Sequence, residues 1–69
     1  MSLQYAYNYA EINPDTHMCI GVYSCTYVSE NPNWIEIPVN DPEYCCKYYI
    51  DGNWYEDSEG QIPWTSALL

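Results

Sequence analysis

The chain has almost no positive charge. One lysine, Lys47, stands against ten acidic residues, and the formal net charge at neutral pH is −9. Neutralising nucleic-acid phosphates takes several Lys or Arg side chains, so the composition argues against nucleic acid as a partner. The same shortage argues against binding to an anionic membrane surface. The acids are scattered rather than run together, which reads as a solvated surface that keeps the protein apart from its neighbours. Another reading of that charge, a DNA mimic blocking a nucleic-acid-binding protein, would need carboxylates in rows at phosphate-like spacing, and the scatter weakens it.

Other absences narrow the choice further. No stretch approaches the roughly 20 apolar residues of a membrane-spanning helix. Met1-Ser2-Leu3-Gln4 has neither a basic region nor an apolar run, so no signal peptide is expected. Phenylalanine is missing, and a single His and a single Lys leave few bases for catalysis. His17 has no orienting third group in view and falls in the turn Asn13-Pro14-Asp15-Thr16-His17, where an exposed side chain is expected. Asp51, Asn53, Tyr55 and Asp57 superficially resemble a calcium loop, but Gly52 is misplaced and no helical frame surrounds them. No catalytic residue, metal ligand or cofactor is expected, and the chain reads as a non-enzyme.

With 69 residues the chain forms one domain, and a domain this small buries only roughly 60% of its unfolded surface. Disulfides, a metal or association with another chain commonly make up the shortfall. The four cysteines, at positions 19, 25, 45 and 46, read as free thiols acting as small apolar side chains. A zinc site would need pairs spaced two to four residues apart, which this arrangement does not offer.

What the chain does have is ring surface. There are nine Tyr and three Trp, and hydrophobic residues make up 48% of the sequence. Tyr and Trp bury a large ring while keeping one polar group wet, which suits half-buried and interfacial positions. The surest local prediction is a hairpin at Lys47–Glu56. Asp51-Gly52 at its centre matches a type I′ turn and sets Ile50 opposite Asn53, Tyr49 opposite Trp54 and Tyr48 opposite Tyr55. Such a hairpin is marginal alone, so the rest of the chain must supply a surface for it.

Residues 4–12 alternate, with Tyr5, Tyr7 and Tyr9 on one face and Ala6, Asn8 and Ala10 on the other. The tyrosine ladder is a core face or a binding face, with core favoured because a small sheet must bury its largest rings. Residues 18–28 form the longest strand-like run. Met18, Ile20 and Val22 face one way; Cys19, Tyr23, Cys25 and Tyr27 face the other. Apolar groups on both faces predict a central strand, and Gly21 predicts a bulge or a close contact. Residues 34–39 form a short strand that Pro38 either ends or confines to a sheet edge, and Asn40 or Asp41 caps one helical turn with Pro42 in its first turn. The sum is an all-β fold: a small antiparallel meander of about five strands built from two hairpins, core about 4–57. Residues 58–69 form a tail that docks or stays free.

Two modes of contact suit these rings. Candidate contact residues are Tyr5, Tyr7, Tyr9, Trp34, Trp54 and Trp64. They anchor a protein partner or a second copy of the chain, or they stack on carbohydrate.

Tyr9-Ala10-Glu11-Ile12-Asn13, Met18-Cys19-Ile20-Gly21-Val22, Trp34-Ile35-Glu36-Ile37-Pro38 and Lys47–Glu56 occur in an order that resembles short proteins encoded near tail-fibre genes in prophages of Gram-positive gut bacteria. Those proteins carry a YAEI-turn-ICIGV hairpin, a YIEIP segment and a KYxDGxW hairpin. The resemblance covers roughly residues 5–57. It implies a structural or accessory role at a phage tail, virion localisation after synthesis in the bacterial cytoplasm, and no catalytic residues. The chain departs from that pattern in its acidic excess, in Cys45-Cys46 where such proteins often have Leu-Gly, and in the segment from Trp64 to Leu69.

Overall fold

A computed structural model describes residues 7–69. Five strands and one short helical turn follow in the order β1 (Tyr7–Ile12), β2 (Cys19–Cys25), β3 (Trp34–Ile37), a 3₁₀ turn (Pro42–Tyr44), β4 (Tyr48–Ile50) and β5 (Asn53–Tyr55). They form two antiparallel sheets, one ordered β2-β1-β3 and the other β4-β5. This is the small all-β architecture expected from the strand-and-turn pattern. Among the described residues no helix is long and apolar enough to cross a membrane.

β1, not β2, is the central strand, which corrects the sequence prediction. β1 pairs with β2 from Tyr7↔Cys25 to Ile12↔Cys19, and with β3 from Asn8↔Ile37 to Glu11↔Trp34. The reason lies in which residues vanish from solvent. Tyr9 and Ala10, adjacent on β1 and so on opposite faces, are both buried, whereas Ile20 and Tyr23 on β2 stay exposed. β2 is apolar without being covered on both faces.

The register slips between Glu11 and Ile12: Glu11 opposes Gly21, and Ile12 opposes Cys19. Ile20 is the extra residue of this bulge. The bulge swaps the faces that strict alternation assigns. Cys19 joins the core beside Ala10, Ile12, Ile37 and Tyr44, while Ile20 is left 51% exposed. Burial pushes the Cys19 thiol up to about 11, so it remains protonated, and it donates to the Gly21 carbonyl at 3.3 Å. Cys19 and Cys25 act as small apolar fillers. Cys46 does not: it is exposed, with a positive φ of 73°.

The turns close by local polar bonds, as their composition predicts. The Asn13 side chain accepts from the Asp15 N–H at 2.9 Å, and His17 is exposed. Asp41 caps the 3₁₀ turn, its carboxylate accepting the Glu43 N–H at 2.9 Å, with Pro42 following it.

The Lys47–Glu56 hairpin has the expected register, Tyr48↔Tyr55, Tyr49↔Trp54 and Ile50↔Asn53. Backbone hydrogen bonds join it to the first sheet. The Cys19 N–H donates to the Lys47 carbonyl at 2.8 Å, and the Tyr49 N–H donates to the His17 carbonyl at 2.9 Å. Residues 62–64 then run along β5, with the Glu56 N–H on the Ile62 carbonyl at 2.8 Å and the Trp64 N–H on the Trp54 carbonyl at 3.0 Å. The C-terminal segment is therefore docked. The Ser66 hydroxyl completes the attachment by donating to the buried Asp41 carboxylate.

Asp51 and Gly52 at the hairpin tip have φ of 51° and 85°. A Cβ on Gly52 would meet nothing within 4 Å, so only backbone conformation opposes a side chain there. Gly52→Val is expected to destabilise by roughly 1–2 kcal/mol, the cost of left-handed backbone for a bulky residue. A loss of about 4–8 °C in melting temperature per kcal/mol is the readout. Gly52→Asn should retain most of the stability, because Asn tolerates this region. An unchanged melting temperature for the valine variant would refute the turn assignment.

Candidate functional site

The aromatic side chains gather on two surfaces. The first is the outer face of the three-stranded sheet, where odd-numbered residues of β1 lie beside their cross-strand partners. Tyr9 is buried there, 5.9 Å from Trp34 by ring centroids. Trp34 stacks on Tyr23 at 4.7 Å with the planes 13° apart. The ring of Tyr23 lies back over Gly21, a glycine whose missing side chain makes the space. Its hydroxyl donates to a Glu11 carboxylate oxygen at 2.9 Å. That bond raises the Tyr23 pKa, because ionising the phenol would destroy the donor and place two anions together. The Tyr9 hydroxyl accepts the Ser29 N–H at 2.9 Å, pinning the β2–β3 loop to the end of the platform. The Trp34 indole N–H is buried without an acceptor among the described residues. Leaving such a donor unpaired costs about 1–3 kcal/mol.

The second surface is a cleft between the hairpin, the 3₁₀ turn and the C-terminal segment. Tyr44 is its base. Trp54 and Trp64 meet Tyr44 edge-on, each with centroids 4.8 Å away and with interplanar angles of 69° and 81°. The cleft encloses about 270 Å³ and is rimmed by Asn53, Thr65 and Leu69. Lys47 sits with its ammonium 5.2 Å from the Trp64 ring centroid and 3.6 Å from a Glu56 carboxylate oxygen.

The candidate contact residues thus divide. Tyr5 lies outside the described residues. Tyr7 is half-buried and Tyr9 is buried on the outer sheet face, the latter with Trp34. The main apolar cluster lies on the opposite face, with Ala10 and Ile12, so the ladder is not the principal core face. Small side chains on that inner face let Tyr44 and the hairpin approach closely. Trp54 and Trp64 come together only at the cleft. Two rings that matter, Tyr23 and Tyr44, are absent from the sequence candidates. Tyr23 was traceable through its cross-strand position opposite Tyr9; Tyr44 stands in a single helical turn with no periodicity to mark it. Among the described residues no group of three or more His, Cys, Asp or Glu side chains is arranged to hold a metal ion.

One carboxylate positions the Trp64 wall. Asp57 accepts the Ile62 and Gln61 N–H groups, each at 2.9 Å, and these bonds depress its pKa. A depressed carboxylate contributes stability above its unfolded pKa and loses it as pH falls through the folded value. The Gln61 and Ile62 amide resonances are therefore expected to move together in an acid titration, with a midpoint below the ordinary aspartate range. Asp57→Asn should abolish that titration; a midpoint at the ordinary value would contradict the assigned bonds.

The outer platform depends on Gly21. A Cβ there would lie 2.8 Å from Tyr23 Cζ and closer still to its hydroxyl. Tyr23 is the free end of a side chain, so Gly21→Ala is expected to expel the ring at small cost in stability. Near-UV circular dichroism should lose the Tyr23–Trp34 signal while the far-UV spectrum stays unchanged. Retention of the near-UV signal would show that Tyr23 does not need this space.

Comparison with family models, with curated proteins and with solved structures finds no match to this chain.

Proposed function

We propose that this chain is a structural or accessory protein of a phage particle, associated with the tail or its fibre, and that it works through contacts between protein surfaces. The observation that carries the contact reading is the outer sheet face. A stacked Tyr23–Trp34 pair stands there, backed by Tyr9, and the same strand and the loop after it leave Ile20, Tyr27 and Val28 exposed at 51%, 64% and 60%. Tyr and Trp anchor protein interfaces because a rigid ring buries large area at small entropic cost. The phage setting draws its support from the order of motifs that resembles tail-associated prophage proteins. A second copy of the chain is the first candidate partner, since a domain this small gains most from added burial.

Self-association brings together copies that each carry −9. Their repulsion is screened by salt, so association is expected to strengthen with ionic strength. Light scattering after size-exclusion chromatography, under reducing conditions, should give a defined multiple of 8.1 kDa that grows more populated at high salt. Tyr23→Ser combined with Tyr27→Ser should shift the population back to monomer. A mass of 8.1 kDa at every concentration and salt would overturn self-association. Binding that instead weakens with salt would identify a basic partner.

A further inference from the structure

We infer that the cleft over Tyr44 is a binding site for one neutral sugar ring, a site separate from the outer sheet face. Three features lead there. The floor and walls are three aromatic rings, Tyr44, Trp54 and Trp64. The half-buried Trp54 and Trp64 indoles accept the apolar C–H patch of a pyranose, which a fully polar pocket would not, while the buried Tyr44 ring holds them in place. The rim has no charged side chain: Asn53 and Thr65, which carry an amide and a hydroxyl, line it beside Leu69. The Asn53 amide is held only by a long bond to the Asp51 carbonyl, 3.4 Å, and is free to be redirected.

Size and charge restrict the ligand. About 270 Å³ falls just under the roughly 300–1,000 Å³ of pockets for drug-sized ligands, so the cleft takes one ring rather than several. No acidic or basic side chain lines it, although the chain is strongly acidic elsewhere. A cationic ligand would find ring faces but no acidic side chain in the lining, and the chain's own lysine already faces the Trp64 ring. An anionic ligand would find no cation in the lining and a net charge of −9 around it. Neutral ligands escape both objections.

The site is also preformed. Both indoles are fixed against Tyr44, Trp64 is bonded through its backbone to Trp54, and Ser66 ties the following residues to Asp41. Little ordering cost remains on binding. A single sugar ring should still bind only in the millimolar range, because so few heavy atoms make contact.

Nuclear magnetic resonance on the isotopically labelled full chain tests this, since the three indole N–H resonances report separately. The probes are the methyl glycosides of glucose, galactose, rhamnose and N-acetylglucosamine, a neutral oligosaccharide of each, and tetramethylammonium. The expected result is a saturable shift of the Trp54 and Trp64 indoles by at least one neutral sugar, with the Trp34 indole unmoved. Thr65→Ala and Asn53→Ala, both at exposed rim positions, should each weaken that sugar roughly 3–10-fold, the effect of one lost hydrogen bond. An oligosaccharide binding tenfold tighter than its methyl glycoside would identify the ring as part of a glycan; equal affinity would identify a free sugar. Three results overturn the inference: no saturable shift by any neutral sugar up to its solubility limit, tetramethylammonium binding while sugars do not, or all three indoles drifting together. None of these bears on the mass in solution, so this site and the sheet-face contact stand or fall separately.

Discussion

Everything in this fold depends on Tyr44 reaching the inner face of the three-stranded sheet. It is 2% exposed and belongs to the same cluster as Ala10, Ile12, Cys19 and Ile37. It is also the residue on which Trp54 and Trp64 both rest. One ring thus joins the first sheet, the hairpin and the C-terminal segment. Each aromatic pair adds about 0.5–1.5 kcal/mol beyond the area it buries. A chain of this length has a total stability of roughly 3–10 kcal/mol, so two such pairs are a substantial fraction. The hairpin, marginal by itself, finds its surface here.

Tyr44 shares its cluster with small side chains from two strands, Ala10 of β1 and Cys19 of β2. Ala10 is fully buried at the middle of the central strand. The bulge at Ile20 serves the same packing. It turns Cys19 inward, and the carbonyl and amide of Cys19 then pair with Cys46 and Lys47. Bulge, thiol and hairpin attachment are one arrangement. The raised thiol pKa follows from it: a group packed against apolar neighbours stays protonated.

The parts of this fold set by local chemistry were legible in the sequence. The Asp51-Gly52 turn fixed its own hairpin register because only certain residues tolerate positive φ at both central positions. Pro42 after Asn40 or Asp41 marked the helical turn, and Pro38 marked either the end of β3 or an edge position; the structure selects Asp41 as the cap and ends β3 at Ile37. The choice of central strand was not legible, because it depends on which apolar residues find a covering layer. β2 is the more apolar run, yet β1 lies in the middle, with Tyr9 and Ala10 buried on its two faces. The bulge was signalled by Gly21, but its consequence for Cys19 and Ile20 was not, because a one-residue slip exchanges faces without changing composition. Of the candidate contact residues, Trp54 and Trp64 are ten apart in the chain and meet only because residues 62–64 fold back along β5. No periodicity encodes that return. It is directed by Asp57, whose carboxylate holds the Gln61 and Ile62 amides.

The charge balance bears on both surfaces in opposite ways. Glu11 and Glu36 stand on the outer sheet face, beside the Tyr23–Trp34 platform, in register with Trp34 and Tyr9 respectively. Anything docking there meets carboxylates, so a copy of the same chain pays repulsion that a basic partner would not. The cleft has no charged side chain in its lining, and the one lysine beside it is already paired with Glu56. Long-range electrostatics therefore acts on protein contacts at the sheet while leaving a neutral ligand at the cleft largely indifferent to salt. That difference follows from where eleven charged side chains fall among twelve rings. It makes ionic strength the physical variable that separates the two surfaces.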